Sequence, residues 1–333
     1  MKSLFGVLFL VVLLTAPGCR AQPPVAKITL HVVNQDGQPV SDTEIEAGFW
    51  LTSEDSQAFR KRPNEEGYVS FENPSLLEIV VCNVRYASWR NPDVVDKYYR
   101  TTVRYNFKTY YESVKTGKWQ PWNPTIEMVL KEKKNPISMY ATDSSNTLIL
   151  PRLCAWCGFD MEVNDWVSPD GKGRHADVEF FHDWDGKWGE AYNGSIFKIR
   201  FPDRAAGVYP FTFGTKEQTC GLLSPYHADP KEVYEQKLAF VEHLEGKWFT
   251  GGDFPKGTGY IFRTRTRFDA QGHMIGARYG KLYPSTAFLF FPWRGGYTKI
   301  RLCYYLNPTE NDTNLESDPK KNLFRKFRRG TNP

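Results

Sequence analysis

Apolar and polar residues alternate from Ala26 to Val33, reading Ala-Lys-Ile-Thr-Leu-His-Val-Val. A period of two places Ala26, Ile28, Leu30 and Val32 on one face, so the segment predicts a half-buried strand. The turn cluster Asn34-Gln-Asp-Gly-Gln-Pro39 follows and sends the chain back, toward a partner strand at residues 43–50. Asn64-Glu-Glu-Gly67 is a second turn, leading into Tyr68-Val-Ser-Phe71; residues 76–84 and 124–130 are further apolar strands. Short strands punctuated by turns predict a small antiparallel β-sandwich at residues 26–133.

The pattern after residue 134 is also mostly of period two. Pro136 biases its predecessor toward extended structure, and residues 135–140 read as a strand lead-in. Residues 176–181 and 195–201 alternate. Residues 259–268 and 273–283, joined by Asp269-Ala-Gln-Gly272, predict a hairpin, and residues 297–306 a further strand. One stretch reads differently. Asp229 stands as an N-cap, Pro230 at N1 and Glu232 at N3, followed by Val233, Leu238, Val241 and Leu244 on one helical stripe and Gly246 as a stop. These signals predict an amphipathic helix at about 230–245. The fold class is therefore mainly β: an N-terminal sandwich at 26–133 and a larger β-rich domain at 134–318 with one helix.

The first apolar run sets a compartment. Lys2 precedes 11 residues, 4–14, that are apolar apart from a glycine, and Ala16-Pro-Gly-Cys19 follows. This is the pattern of a secretory signal peptide over residues 1–21, too short to span a bilayer. Cys19 after Gly18 fits the lipidated residue of a bacterial lipoprotein, whose acyl chains would anchor the protein to a membrane. Cleavage after Ala21, leaving Gln22 first, is the competing route. Either way the expectation is an exported protein of the periplasm, outer membrane or cell surface. Export permits disulfides among the remaining Cys82, Cys154, Cys157, Cys220 and Cys303. Cys154-Ala-Trp-Cys157 lacks both the following helix of a redox pair and the second C-x-x-C of a zinc site, so a structural disulfide or buried thiols are expected.

Val33-Asn-Gln-Asp-Gly-Gln-Pro-Val40 followed by Asn64-Glu-Glu-Gly-Tyr-Val-Ser-Phe71 resembles the carboxypeptidase regulatory-like domain, a transthyretin-like β-sandwich, over about residues 26–85. Asn64 stands where that family has Asp, and residues 86–122 form a long insert rich in Tyr and Trp. The resemblance implies an accessory module without catalytic residues. Gly158-Phe-Asp-Met-Glu, Asp165-Trp-Val-Ser-Pro, Arg278-Tyr-Gly-Lys-Leu-Tyr283 and Tyr305-Leu-Asn-Pro-Thr309 are similar to uncharacterised secreted proteins of Gram-negative bacteria, which brings no activity.

Catalytic motifs are mostly missing. The sequence has no H-E-x-x-H, no G-x-S-x-G and no phosphate loop ending in G-K-[ST]. Ser195-Ile-Phe-Lys198 matches S-x-x-K, but strand-like alternation would send the two side chains to opposite faces. His182, Asp183 and Asp185 are the densest set of metal-ligand types, with Asp177 and Glu179 upstream; an oxygen-rich loop there could hold Ca²⁺, although the spacing also suits a polar turn. A glycan-active enzyme would draw its carboxylate pair from Asp160, Glu162, Asp165, Asp177 or Glu179.

Composition adds one positive signal. Aromatics make 15% of the chain, with 10 Trp. Trp119 and Trp122 in the insert, with Tyr110 and Tyr111, and Trp184 and Trp188 beside the Asp-rich turn, are candidates to stack on sugar rings; large rings also fill β cores. Arg263, Arg265 and Arg267 alternate with Thr and Phe, which predicts three guanidinium groups on one sheet face, either a site for anionic polymers or a solvated surface. The formal charge is +5. Two cations lie in residues 1–21 and six in 319–333, so residues 22–318 carry −3. A near-neutral body thus ends in a cationic tail, Pro319–Pro333, which predicts either a disordered end or an amphipathic membrane-surface segment. No nucleic-acid-reading motif and no cofactor motif occurs. The sequence therefore points to a non-enzymatic envelope protein that binds a glycan or an envelope protein or plays a structural accessory role; the alternatives are a dedicated glycan-binding module or a glycan-active enzyme.

Overall fold

A computed structural model describes residues 23–50, 56–74, 81–86, 97–107, 110–143, 145–185, 194–212, 218, 223–242, 251–253, 258–282, 287–291 and 297–327. The signal segment, Cys19, Cys220, Trp188, Arg328 and Arg329 lie outside the described residues, as do the side chains of Tyr110, Tyr111, Trp184 and Asp185.

The N-terminal half carries β1 (Val25–Asn34), β2 (Ile45–Trp50), β3 (Ser56–Lys61), β4 (Tyr68–Pro74), β5 (Val81–Tyr86), β6 (Thr102–Asn106), the helix α1 (Tyr110–Thr116) and β7 (Thr125–Leu130). They form two sheets, β4-β1-β7 and β3-β2-β5-β6. The alternation of β1 works as read. Ala26, Ile28, Leu30 and Val32 are fully buried and share one core with Ala47, Phe49, Phe71, Trp119 and Met128. Burying a side chain of this size is worth about 1.5–3 kcal/mol, so the core face of β1 fixes its register. The sandwich is not wholly antiparallel, because β1 and β7 run parallel. The turn before β4 needs its glycine. Gly67 has φ +81°, and a Cβ there would stand 2.5 Å from the Val32 carbonyl oxygen.

The second half carries β8 (Tyr140–Ala141), β9 (Thr147–Ile149), β10 (Cys157–Asp160), β11 (Asp165–Trp166), β12 (Val178–Asp185), β13 (Gly194–Arg200), β14 (Gly207–Thr212), β15 (Lys237–Glu242), β16 (Gly251–Asp253), β17 (Thr258–Phe268), β18 (Met274–Leu282), β19 (Ala287–Phe291), β20 (Tyr297–Arg301) and β21 (Tyr304–Leu306). Their sheets are β11-β10-β12-β13-β15, β14-β17-β18-β21-β8 and β16-β19-β20-β9. Phe159, Phe180, Phe197, Phe262 and Tyr304 form the centre of the main core between them. The predicted hairpin is β17–β18. The strand expected at 297–306 is two strands in two sheets, with buried Leu302 and Cys303 at the crossing.

Over the described residues 230–242 the predicted helix is absent; residues 243–245 lie outside the described residues. Asp229 accepts the Lys231 N–H at 2.8 Å in a short turn, and the chain then enters β15, which pairs with β13 from Lys237↔Arg200 to Glu242↔Ser195. The same residue types that cap helices also make such turns. Sheet pairing then outweighs helix propensity in Lys-Leu-Ala-Phe-Val-Glu, whose register on β13 completes a sheet. Val233, expected on the buried stripe, is 75% exposed.

The described part of the cationic tail spans residues 319–327. It makes two 3₁₀ turns, Pro319–Lys321 and Arg325–Phe327. Asn322 between them is buried; its side-chain amide donates to the Ala141 carbonyl (2.8 Å) and accepts from the Ala141 N–H (3.2 Å). Phe324 packs on Tyr140 and Tyr304. Neither a disordered end nor an amphipathic helix describes these residues.

Buried polar groups join the two halves. The Glu316 carboxylate, 2% exposed, accepts the backbone N–H of Lys134 (3.1 Å) and Asn135 (2.7 Å) and the Tyr99 hydroxyl (3.2 Å). Lys131, fully buried, donates to the Ser224 carbonyl at 2.8 Å and lies over the Tyr226 ring. Gln218 bonds both Thr101 and the Val129 backbone.

Candidate functional site

The outer face of the sheet β4-β1-β7 follows from the same alternation that builds the core. With Ile28↔Phe71 and Leu30↔Val69 pointing inward, Lys27↔Glu72, Thr29↔Ser70 and His31↔Tyr68 point outward, and Thr125 and Glu127 of β7 join them. The loop after Thr116 brings Lys118, Trp122 and Asn123 to one end of this face.

Each outward pair makes a distinct contact. Tyr68 stacks on His31, with centroids 4.5 Å apart and planes 13° from parallel, and is 41% exposed. The Thr29 hydroxyl donates to Asn123 Oδ1 at 2.8 Å and lies 2.7 Å from the Ser70 hydroxyl. A hydroxyl carries one proton, so Ser70 must donate to Thr29. The Asn123 amide N–H₂ is left as a donor, since no partner for it is seen among the described residues. Lys27 pairs with Glu72 at 3.4 Å.

Trp122 is 36% exposed and carries two ammonium groups near its ring: Lys118 Nζ at 4.8 Å and Lys27 Nζ at 6.0 Å from the centroid. Such contacts at exposed sites are worth about 0.5–1 kcal/mol. Glu72 compensates one of the two cations; no ion pair of Lys118 is seen among the described residues. The Trp122 end is therefore locally positive. Lys27 and His31 are four residues apart on β1, about 13 Å at ~3.3 Å per residue. The face thus presents an aromatic at each end and a hydroxyl–amide cluster between them. It can stack on, and hydrogen-bond to, an extended polar molecule.

Trp119 is no part of it. Three residues away from Trp122, it is fully buried in the sandwich core. Nothing in the local sequence separates the two tryptophans.

The arginines expected on one basic face are dispersed by a bulge. The β17–β18 register shifts between Thr264 and Arg267, and Arg265 has φ +51°. Arg265 turns inward. Its Nε–H and one Nη–H donate to the two oxygens of Asp177 at 2.8 and 2.9 Å, and the same Nη reaches Asp160 at 2.8 Å. Arg265 and Arg278 both bond Glu162. Burial acts to lower the Arg265 pKa, but the hydrogen bonds and charges of Asp177 and Asp160 raise it overall. Arg263 is buried, donates to the Ala205 and Pro230 carbonyls (2.8 and 3.0 Å) and stacks on Tyr234. Arg267 clamps Glu310 with two bonds of 2.6 and 2.7 Å.

The same cluster occupies the acids expected as a catalytic pair. Asp177, fully buried, accepts four donors: two from Arg265, the Thr264 hydroxyl (3.1 Å) and the Met161 N–H (2.8 Å). Asp160 accepts Arg265 and the N–H groups of Glu162 (3.0 Å), Arg174 (3.0 Å) and His175 (3.2 Å). A carboxylate has about four lone-pair sites, so neither acid has one left for a substrate or a water. Asp165 binds the N–H groups of Trp166 and Lys172, and Glu179 pairs with Arg200.

Among the described side chains, the residues considered as metal ligands do not converge. Strand alternation buries His182, whose Nδ1 lies 2.6 Å from the Thr298 hydroxyl, and sends Asp183 to the exposed side. Burial lowers the His182 pKa to about 4. No cluster of three metal-ligating side chains occurs among the described residues. Cys82, Cys154, Cys157 and Cys303 carry thiols, with Cys154 exposed, so Cys154 and Cys157 form no disulfide.

No family model matches the chain, and no curated protein does. Solved structures that align include a DUF3823 family protein from Parabacteroides merdae, with 11% identity over 84% of this chain and 98% of that one, at a TM-score of 0.20. A candidate cell adhesion protein from Parabacteroides distasonis aligns at 10% identity over 87% and 88%, TM-score 0.18. A candidate membrane-associated protein of unknown function from Bacteroides fragilis aligns at 11% over 86% and 99%, TM-score 0.13. The carboxypeptidase regulatory-like resemblance has no counterpart among these matches. At such scores, no superposition assigns a site.

Proposed function

We infer that this is an exported, non-enzymatic binding protein of the cell envelope, working through the outer face of β4-β1-β7. The carrying observation is that face: Trp122 and Tyr68 exposed at its two ends, with Thr29, Ser70 and Asn123 between. Exposed aromatics beside fixed hydrogen-bonding groups are what recognition surfaces offer. The saturation of Asp160 and Asp177 counts against hydrolysis by these acids. The signal-peptide pattern and Cys19 support a lipid-anchored location, with residues 23–327 carrying the binding function.

The test is cosedimentation of the purified, non-acylated chain beginning at Gln22 with isolated bacterial envelope, so that no lipid contributes to pelleting. The wild type should pellet with the envelope, and a Tyr68→Ala/Trp122→Ala double variant should remain in solution. Equal pelleting of the two proteins would refute a role for the face. Mass spectrometry of the mature N-terminus decides between acylated Cys19 and free Gln22.

A further inference from the structure

Resting on that reading, we propose that the ligand of the β4-β1-β7 face is an oligosaccharide bearing a carboxylate, seated with its acidic sugar at Trp122. Three observations select this chemistry. First, the two exposed rings flank the stretch of β1 from Lys27, beside Trp122, to His31, under Tyr68, about 13 Å at ~3.3 Å per residue, which suits a chain of several sugars better than one. Second, the surface between them is hydroxyl and amide: Thr29, Ser70 and Asn123 hold one another in a fixed hydrogen-bond order, and among the described residues no partner takes the Asn123 N–H₂. Sugars present alternating hydroxyls and C–H faces, and an aromatic ring accepts the C–H face while such groups bond the hydroxyls. A protein surface or an apolar lipid tail would leave this polar centre unsatisfied.

Third, the charge is placed at one end. Lys118 and Lys27 both lie near Trp122 against one carboxylate, Glu72. At the other end, Glu127 is the register partner of His31 and disfavours an anion there. An exposed cation–π contact is weaker than a charge-assisted hydrogen bond. A ligand carboxylate therefore draws the Lys118 ammonium off the ring, and the ring it uncovers takes the sugar. One exchange both satisfies the uncompensated charge and opens the platform.

The experiment is isothermal titration of the mature chain with tetrasaccharides of galacturonate, alginate and hyaluronan, and with cellotetraose and maltotetraose as neutral controls. At least one acidic tetrasaccharide should bind, and the neutral ones should bind about tenfold more weakly or not at all. Trp122→Ala should weaken it about tenfold or more, as an anchor residue does. Lys118→Gln should do so selectively for the acidic probe, with a loss of salt dependence. Circular dichroism confirms that each variant is folded. Neutral probes binding as tightly as acidic ones would overturn the proposal. So would the absence of binding by any acidic probe while the envelope still retains the wild type and not the Tyr68→Ala/Trp122→Ala variant; that result would leave the face as a binding surface for another class of ligand. Envelope retention indifferent to the double variant is the separate result that removes the underlying reading.

Discussion

Arg265 and Asp177, 88 positions apart, meet in a two-pronged ion pair of 2.8 and 2.9 Å, with the aspartate entirely shut off from solvent. The pair fastens β17 to the segment before β12. Removing one partner of a buried pair leaves the other charged and unsolvated. Arg265→Ala should destabilise the protein by about 3–5 kcal/mol, whereas the Arg265→Ala/Asp177→Asn double variant should recover part of that loss. Urea unfolding followed by tryptophan fluorescence reads both.

Trp119 and Trp122 should respond in opposite ways. Trp119→Ala empties the centre of the N-terminal core and should cost about 3–5 kcal/mol. Trp122→Ala removes an exposed ring and should change stability by less than about 1 kcal/mol, while weakening envelope retention. Parallel thermal melts and pelleting assays separate them.

His182 sets an acid limit. Its pKa is about 4 in the fold against 6.5 as the ordinary value, and burial is the cause. The unfolded chain takes up the proton first as pH falls, so stability is lost between pH 6.5 and 4, by at most about 3 kcal/mol. His175 acts with the other sign. The hydrogen bond to Asp203, 3.1 Å away, raises its pKa; its contribution is complete below pH 6.5 and fades as pH rises through the raised value. His182→Phe should flatten the acid limb of a stability–pH profile, and His175→Gln the neutral one.

The thiols should differ in reach. Cys154 is exposed, whereas Cys82 is buried and its pKa pushed up to about 12 by burial. Maleimide should label Cys154 in the native protein and Cys82 only after denaturation. Peptide mapping gives the order.

The parts of the fold that were legible in sequence share a physical cause. β1 could be read because one face meets water and the other a core, so alternation is written into it. β3, Ser-Gln-Ala-Phe-Arg-Lys, and β6, Thr-Val-Arg-Tyr-Asn, are edge strands with mixed faces and no clear period. The turn at Asp229 misled because its chemistry serves helix caps and turns alike. For the arginines, parity along β17 was the only guide, and one residue at φ +51° cancels it. The acids were visible singly, but their partner Arg265 lies 88 and 105 positions away. Trp122 was named; Thr29, Ser70 and Asn123 were not, because hydroxyls that meet across 41 and 94 positions leave no local mark.

Asn322 holds both backbone groups of Ala141 from 181 positions downstream, and Phe324 closes over Tyr140 and Tyr304. The edge begun at β8 is therefore finished by residues 322–324. A chain emerging from a ribosome or a translocation pore cannot complete that edge until residue 324 has come through. Closure of the second half therefore waits on residues 322–324. Any product truncated before Asn322 leaves both backbone groups of Ala141 without these partners.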